Sequence, residues 1–454
     1  MRRTFNTDDD PSHGLNGRQT TYQGNRRWSI MRLLLLNAGP IAMMAAGDYT
    51  KPLVGVDMGD HESLVSEGGL GILIESGIVT KIDDSESLES EFGSVDINGS
   101  LRVVDCASRA LIPGFVDSHT HLLWDGDRTN EMALRQSGLS YTDIANQGGG
   151  IMKTVDATRN ADFNRLMELG HKRITRAVSF GTTTMECKSG YGLSLDSELR
   201  LLKAIGQLSE ESLIDIHPTW LGAHDFPKGV EPGDYLEELI NEQLPEVVEQ
   251  GIARWADVFC EPGWYNLEQT EDVVTAAANA GLPSRLHVDE FVDGEGLALA
   301  AELGAVSGDH VGYSSDDARA AANEAKTMQT FLPGTPYVLG KDLESPVKQC
   351  LNNEWMFSLA TDFNPNCRSL SIPFLGSLAT HRLGLSPIEA LAAVTRNPAT
   401  TLSASEQVET AGSIRIGGRA DILILDSEYV DGWCQMPGDN PVASTIANGI
   451  IVKP

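Results

Sequence analysis

Two histidines separated by a single residue could hold a metal ion between them. His119 and His121 follow an apolar run at residues 111–116 and precede a glycine at Gly126. In an extended chain alternate side chains point to the same face, so both imidazoles could reach one ion. A lone His-x-His pair is more often incidental than a ligand pair, so the prediction depends on further ligands elsewhere in the chain.

Candidate polar residues follow later apolar segments. His287 ends one such segment, His310 ends the next, and Asp362 comes directly after another. Each of them alone is more often a structural residue than a ligand. Three histidine nitrogens and one carboxylate, however, suit Zn²⁺ or Fe²⁺ and leave one coordination position for water. The predicted metal ligands are His119, His121, His287 and Asp362.

The elements that must position these residues alternate in type. Between residues 113 and 402, β-type and helix-type segments follow one another about eight times, which predicts a (β/α)8 TIM-like barrel with active residues at the carboxyl ends of its strands. Residues 31–112 and 403–454 are β-type and are predicted to pair into one small β-sandwich domain, with the N-terminal part all β. Residues 1–30 are polar and aperiodic, and we expect a disordered tail there.

Composition excludes several classes of partner. The chain has 454 residues, 41% of them apolar, and a net charge of -30. Such a charge disfavours nucleic acid and anionic membranes as partners. The six cysteines are scattered without a CxxC pair, which favours a reducing cytoplasm over a disulfide framework. Arg26-Arg27 resembles a twin-arginine export signal, but polar and turn residues soon interrupt the apolar run that follows, which favours a first strand at residues 32–38.

Longer motifs resemble those of a known family. They lie in the order expected for the amidohydrolase superfamily and, within it, for the imidazolonepropionase family, and the resemblance extends over about residues 32–453. His-x-His is general to the superfamily, whereas KSGYG together with LHVDE is much more specific. The matching segments are PGFVDSHTHLLWDGDR (113–128), GGGIMKTVDATR (148–159), ECKSGYGLSLDSELRLL (186–202), which contains KSGYG (188–192), LGAH (221–224), LHVDE (286–290), GDH (308–310) and ATDFNP (360–365).

The resemblance implies a specific reaction and a set of site residues. The reaction is hydrolysis of the cyclic amide of 4-imidazolone-5-propanoate to N-formimidoyl-L-glutamate, the third step of histidine degradation. The resemblance also implies one divalent ion per subunit, Zn or Fe, a homodimer, and the four ligands named above. The implied catalytic residues are His310, Glu290 and Asp362. The implied substrate contacts are Arg128, Tyr141, Tyr191, His224, Glu290 and Asn364.

The residue types are consistent with this chemistry. A bound metal lowers the pKa of its water to about 7. Asp362 could accept a proton, His310 could polarise the carbonyl or relay protons, and Glu290 could hold or protonate a ring nitrogen. The sequence leaves open which of the three is the general base. Arg128 could bind the propanoate carboxylate bidentately, with the Tyr191 phenol as a neutral donor.

Three points qualify the resemblance. Asn366 and Cys367 stand where the family usually has glycine and a hydroxyl residue; asparagine tolerates the left-handed backbone that such a turn could need, and a thiol is the weaker donor. Lys188 is not assigned to the metal, although some superfamily members use a carboxylated lysine. Another cyclic-amide hydrolase, a cytosine or guanine deaminase, and a non-catalytic scaffold are the alternative functions.

Overall fold

The computed structural model describes residues 32–93, 101–139, 143–144, 147–402 and 411–453. The expected tail at residues 1–30 and the substrate-contact candidate Tyr141 lie outside these ranges. Within the described part of the chain no helix is both long enough and apolar enough to cross a membrane. All six cysteines are buried free thiols.

Two β-sheets form the part of the fold outside the barrel. The N-terminal strands are β1 (Arg32–Leu36), β2 (Ile41–Ala42), β3 (Val65–Ser66), β4 (Leu70–Glu75), β5 (Ile78–Asp84), β6 (Leu101–Asp105) and β7 (Leu111–Pro113). The C-terminal strands are β16 (Ile422–Leu425), β17 (Val442–Ala447) and β18 (Ile450–Lys453). The first sheet has the strand order β5-β4-β1-β6 and the second the order β18-β17-β16-β7-β2-β3.

The two sheets share one apolar core, which joins the two ends of the chain. Leu33 and Ile72 of the first sheet pack in the same buried cluster as Ile422 and Ile446 of the second. Strand β16 also pairs antiparallel with β7, with Ile424 opposite Leu111. Strand β1 is apolar on both faces: Leu33 and Leu35 lie in this core, whereas Leu34 and Leu36 pack in a separate cluster with Leu88.

The expectation that the N-terminal part is all β was wrong. Ser85–Phe92 is a helix, because the Asp84 carboxylate accepts hydrogen bonds from the backbone N–H groups of Glu86 and Ser87 and so caps its start. Only Leu88 and Ser85 of this helix are buried, so the segment lacks the apolar periodicity that reveals a helix in a sequence. A second short helix, His61–Leu64, lies in the same region.

An eight-stranded parallel sheet forms the barrel, and each strand after the first lies next to the strand that precedes it along the chain. The predicted barrel fold with an additional β unit is thereby confirmed. Its strands are β8 (Phe115–Asp117), β9 (Thr182–Lys188), β10 (Asp215–Ala223), β11 (Trp255–Cys260), β12 (Ser284–Val288), β13 (Ser307–His310), β14 (Met328–Phe331) and β15 (Phe357–Leu359). Nearly every residue in these strands is buried, as expected for a parallel sheet covered by helices.

Helices follow the barrel strands and cover them. Several begin at side-chain caps: Asn266 and Gln269 form a capping box, as do Ser386 and Glu389. Leu239–Gln243 is a π-helical turn between two α-helices. The α-helices between residues 131 and 302 are Glu131–Gln136, Gly150–Asn160, Phe163–Ser179, Leu195–Glu211, Pro232–Glu238, Leu244–Gln250, Leu267–Asn279 and Gly296–Glu302. Those that follow are Asp316–Ala325, Gly334–Leu339, Val347–Asn352, Ile372–His381, Pro387–Val394 and Arg396–Leu402.

The barrel closes between the segment after its first strand and the segment after its last. Thr120 forms a parallel bridge with Phe363, and the backbone N–H of Asp362 donates to the carbonyl of His119 at 3.1 Å. Slightly earlier in the same two segments, the Asp117 carboxylate accepts a hydrogen bond from the hydroxyl of Thr361 at 2.6 Å. The His-x-His segment thus lies just beyond β8, and the closure brings it directly beside Asp362.

Candidate metal centre and active site

Four side chains from three places in the chain meet at the carboxyl end of the barrel. His119 Nε2 and His121 Nε2 lie 3.6 and 3.5 Å from Asp362 Oδ1. His287 Nε2, at the end of β12, lies 3.2 Å from His121 Nε2. The ligand atoms of the three histidines all lie within 4.8 Å of one another. The predicted ligand set is therefore gathered around one small space.

The hydrogen bonds on the far sides of the rings make this space suitable for a cation. His119 Nδ1 faces Asp309 Oδ2 at 2.7 Å, and His287 Nδ1 faces Asp257 Oδ1 at 3.1 Å. A nitrogen that faces a carboxylate carries the proton, so both Nε2 atoms present lone pairs. His119 Nε2 has no hydrogen-bond partner among the described residues. Lone pairs that converge beside a carboxylate oxygen repel one another unless a cation lies between them.

Burial sets the protonation of the cluster. It lowers the pKa of His119 and His121 well below the ordinary value for histidine, so the rings are neutral, the form that binds metals. Burial raises the pKa of Asp362, and the hydroxyl of Thr335, which donates to Asp362 Oδ2, opposes that rise. Thr335 thereby fixes which carboxylate oxygen faces the imidazoles. Sequence reasoning missed this threonine because it lies in the separate helix Gly334–Leu339, which follows β14.

His310 and Glu290 lie beside the cluster. His310 Nε2 is 3.6 Å from Glu290 Oε2, and a ligand atom of His310 lies within 4.8 Å of those of His119 and Asp362. The backbone of His310 is left-handed, with φ of 76°, as is that of Asp362 with φ of 48°. Non-glycine residues rarely adopt this conformation, and it is often found at functional sites. Burial and the charge of Asp362 raise the pKa of Glu290 well above its usual value.

Arg128 is buried and already holds a carboxylate. Its Nε and Nη2 atoms donate to Glu131 at 2.9–3.1 Å. Glu131 Oε1 also accepts from the backbone N–H of Gly150, at the start of a helix, at 3.0 Å. One edge of the guanidinium is therefore committed to Glu131, which fixes the plane of the group against that helix. The sequence did not reveal this pairing, since Glu131 carries no motif of its own.

Aromatic rings form the wall next to His121. His224 stacks on His121 with ring centroids 5.1 Å apart and an interplanar angle of 21°. His224 Nδ1 lies 2.9 Å from the carbonyl oxygen of Gly190, which precedes Tyr191. The Tyr191 ring meets His224 edge-on at 5.1 Å. The Tyr191 loop, which contains glycine at position 190 with φ of 99°, thus holds both predicted substrate contacts against the metal cluster.

The turn after Asp362 is closed by Asn364. Its amide oxygen accepts from the backbone N–H groups of Asn366 and Cys367 at 2.7 and 3.0 Å, and its amide nitrogen donates to the carbonyl of Asp362 at 2.9 Å. Asn366 does not adopt a positive φ, so the turn forms without the left-handed backbone that a glycine at this position could supply. The Cys367 thiol is buried and donates to the carbonyl of Thr361 at 3.6 Å.

A buried lysine lies behind the histidines. Lys188 Nζ is 2.7 Å from Asp257 Oδ2 and 3.0 Å from Glu186 Oε1, and 3.9 Å from Asp309 Oδ2. Burial lowers the pKa of Lys188, but the charges of these carboxylates outweigh that effect and leave the pKa raised. The group is therefore an ammonium ion, which argues against a carboxylated lysine. Sequence reasoning set Lys188 aside and missed the three acids, because isolated carboxylates inside apolar strands carry no spacing signal.

A cleft lies beside the site, and Glu290, His310, Thr335 and Lys341 are among the residues that line it. Lys341 lies at its outer part, with Nζ 4.3 Å from the centre of the Phe291 ring.

Comparison with known proteins identifies relatives of this chain. Residues 172–452 match the model of the amidohydrolase family. An imidazolonepropionase of Symbiobacterium thermophilum is 40% identical over 399 residues, covering 87% of this chain and 91% of the relative. An imidazolonepropionase of Haloarcula marismortui is 36% identical over 391 residues, covering 84% and 89%.

Solved structures share the fold at low sequence identity. An atrazine chlorohydrolase of Arthrobacter aurescens TC1, complexed with zinc, has a TM-score of 0.68 at 15% identity and covers 93% of this chain and 94% of its own. A guanine deaminase of E. coli has a TM-score of 0.65 at 16% identity and covers 94% and 99%. At this identity the likeness concerns the fold alone.

Proposed function

The chain belongs to the imidazolonepropionase family of amidohydrolases, and from this membership we propose how its site opens the ring of 4-imidazolone-5-propanoate. The enzyme is a hydrolase of a cyclic amide. Water adds to the ring carbonyl carbon, the carbon–nitrogen bond breaks, the leaving nitrogen takes a proton, and N-formimidoyl-L-glutamate results. The observation that supports the proposal most strongly is the convergence of three imidazole nitrogens and Asp362 Oδ1 beside His310 and Glu290.

One divalent metal ion is assigned to the four converging side chains. His119, His121, His287 and Asp362 would hold it, and we propose zinc or iron because nitrogen-rich sites with one carboxylate suit both metals. Two solved structures of the same fold contain zinc. When bound, such an ion lowers the pKa of water to about 7 and polarises a carbonyl. The Asp309 and Asp257 carboxylates hold the rings of His119 and His287 so that the Nε2 lone pair of each ring would face the ion.

Asp362, His310 and Glu290 divide the proton transfers. Asp362 accepts a proton from the attacking water, and its Oδ2 is held in place by the Thr335 hydroxyl. His310 is neutral because burial lowers its pKa, so it can donate to the carbonyl oxygen or relay a proton. Glu290 has a raised pKa and in its protonated form donates to a ring nitrogen. These assignments give each proton of the reaction a donor and an acceptor.

Arg128 binds the propanoate carboxylate in this proposal, together with Tyr191. Because Glu131 holds one edge of the guanidinium, the substrate meets a group whose orientation is already fixed. His224 completes the wall between this cation and the metal ligands. Tyr141 is retained as an outer contact on the resemblance alone. Asn364 acts mainly through the turn that it closes.

Replacement of Arg128 by lysine is expected to raise KM for the substrate by about 10–100-fold, with kcat changed much less. Lysine keeps the charge but cannot make the bidentate contacts of a planar guanidinium, and a hydrogen bond to a charged group contributes about 1.5–3 kcal/mol. Steady-state kinetics would measure both constants. Arg368→Lys is the matched control, because Arg368 is an exposed partner of Asp127 in the same region. An unchanged KM in Arg128→Lys would argue against the carboxylate contact.

The reaction itself is tested with a panel of substrates. Purified enzyme is incubated with 4-imidazolone-5-propanoate, cytosine, guanine and dihydropyrimidine-type cyclic amides, and turnover is followed by ultraviolet absorbance and mass spectrometry. We expect rapid conversion of the first compound to N-formimidoyl-L-glutamate and none of the deaminase substrates to react. Turnover of a purine or pyrimidine with an inert imidazolonepropanoate would overturn the proposal.

The cellular setting is also a proposal. We propose a homodimer in the cytoplasm, on the family resemblance and on the six buried free thiols. Sedimentation equilibrium of the purified protein would give the assembly state directly.

A further inference from the structure

The buried ammonium group of Lys188 contacts three carboxylates that hold the predicted histidine ligands in place. Lys188 is the last residue of β9 and is completely buried. Its Nζ contacts three carboxylates, two of them on other barrel strands: Asp257 on β11 and Asp309 on β13. The third is Glu186, two residues earlier on β9 itself. Burying a charge costs free energy unless it is fully paired, so the buried Lys188 depends on these three carboxylates.

Two of the carboxylates connect the ammonium to imidazole rings. Asp257 places Oδ2 on Lys188 at 2.7 Å and Oδ1 on His287 Nδ1 at 3.1 Å. Asp309 presents Oδ2 to His119 Nδ1 at 2.7 Å, and the same oxygen lies 3.9 Å from Lys188. A carboxylate held on one side by a fixed cation has little freedom to rotate away from the ring on its other side.

The third carboxylate connects the ammonium to the backbone of the His-x-His segment. Glu186 Oε1 accepts from Lys188 Nζ at 3.0 Å, and Oε2 accepts from the backbone N–H of Thr120 at 3.1 Å. Thr120 lies between His119 and His121. The Lys188 backbone N–H also donates to the carbonyl of Thr120 at 2.9 Å. Both the backbone N–H and the carbonyl of Thr120 therefore hold the His-x-His segment against β9.

From this network we infer that Lys188 is a positioning residue for the metal centre. It holds Asp257, Asp309 and Glu186 in one arrangement, so that the Nε2 atoms of three histidines face the same point before a metal arrives. The inference rests on the proposed metal site but not on the identity of the substrate. Partners one step behind metal ligands commonly affect metal affinity by about 10–100-fold.

The test is metal affinity in the absence of substrate. The full-length Lys188→Met variant keeps the length of the side chain and loses the charge. Its affinity for Co²⁺ is measured by competition with a chelator, and the absorption spectrum of bound Co²⁺ reports the geometry of its ligands. We expect affinity to fall by about 10–100-fold relative to the unsubstituted protein and the spectrum to change.

Asp257→Asn serves as a second variant, because it breaks the same chain of contacts at a different link and leaves Lys188 in place. It keeps the volume of the side chain, so it gives a folded protein to measure if Lys188→Met is unstable. We expect weaker Co²⁺ binding here as well. The matched control is Arg396→Met, which removes another buried cation, one that donates to the backbone carbonyls of Met44, Ala46 and Asp48. It should lower the melting temperature and leave Co²⁺ affinity unchanged.

Each outcome decides the inference. Unchanged Co²⁺ affinity in folded Lys188→Met or Asp257→Asn would overturn it, as would an equal loss of affinity in Arg396→Met, since general destabilisation would then explain the effect. Failure of the proposed function would look different. In that case the unsubstituted enzyme would not turn over imidazolonepropanoate, whereas the difference in Co²⁺ affinity between the variants would persist.

Discussion

Asp362→Asn is expected to reduce kcat/KM by about 10³-fold or more. Asp362 serves twice: Oδ1 faces His119 and His121, and the carboxylate is the proposed acceptor of the proton from water. The amide has the same shape but carries no charge and accepts protons poorly. Because the shape is kept, the fold should remain. Circular dichroism would report the fold and steady-state kinetics the activity, so the two measurements would separate loss of folding from loss of catalysis.

The control for this variant is Asp421→Asn. Asp421 is an equally buried carboxylate, but it pairs with Arg419 where the terminal β-strands meet the barrel. Its replacement should lower the melting temperature while metal content and turnover per folded molecule stay normal. If Asp362→Asn retained more than about one tenth of wild-type kcat/KM, a role in both metal binding and proton transfer would be excluded.

His310→Gln is expected to lower kcat by about 10²–10⁴-fold while the enzyme keeps its metal. His310 lies 3.6 Å from Glu290 and is proposed to polarise the carbonyl or to relay a proton, but not to bind the ion. Glutamine can still donate a hydrogen bond, although it cannot exchange protons at neutral pH. Metal analysis and single-turnover kinetics on the same sample would test both halves of this expectation.

The geometry also offers a competing ligand set. Ligand atoms of His119, His310 and Asp362 lie within 4.8 Å of one another, as do those of His119, His121 and His287. If His310→Gln lost its metal together with its activity, the first set would be the real site. His217→Gln is the control: His217 is buried on β10 and contacts Arg254 at 2.6 Å. Loss of activity in that variant would point to damage of the barrel.

The sequence predicted the barrel and the site residues that carry motifs. The first strand, the strands of the barrel and the His-x-His segment are marked by apolar runs that end in polar residues, and this pattern depends only on local burial. His119, His121, His287 and Asp362 could be grouped because each follows such a run. The structure brings the three imidazoles together and places Asp362 Oδ1 3.5 Å from His121 Nε2, whereas their joint binding of one ion stays a prediction.

The remaining features depend on contacts that have no local signature. The helix at Ser85–Phe92 buries only Ser85 and Leu88, so no apolar stripe marks it in the sequence. Lys188 and Asp257 act across two strands of the barrel interior, so neither shows its partner in the sequence. Thr335 reaches Asp362 only because the fold brings the helix Gly334–Leu339 beside the segment that follows β15. Such long-range polar pairs are fixed by the tertiary fold.

The most direct test of the account is removal and return of the metal. The purified enzyme is stripped with a chelator, and zinc or ferrous ion is added back while the absorbance of 4-imidazolone-5-propanoate is followed, with His121→Ala measured in parallel. We predict that the stripped enzyme is inactive, that turnover is restored in full at one ion per chain, and that His121→Ala neither binds the ion tightly nor recovers. Full activity in the stripped enzyme, or equal metal content in the two proteins, would contradict the account.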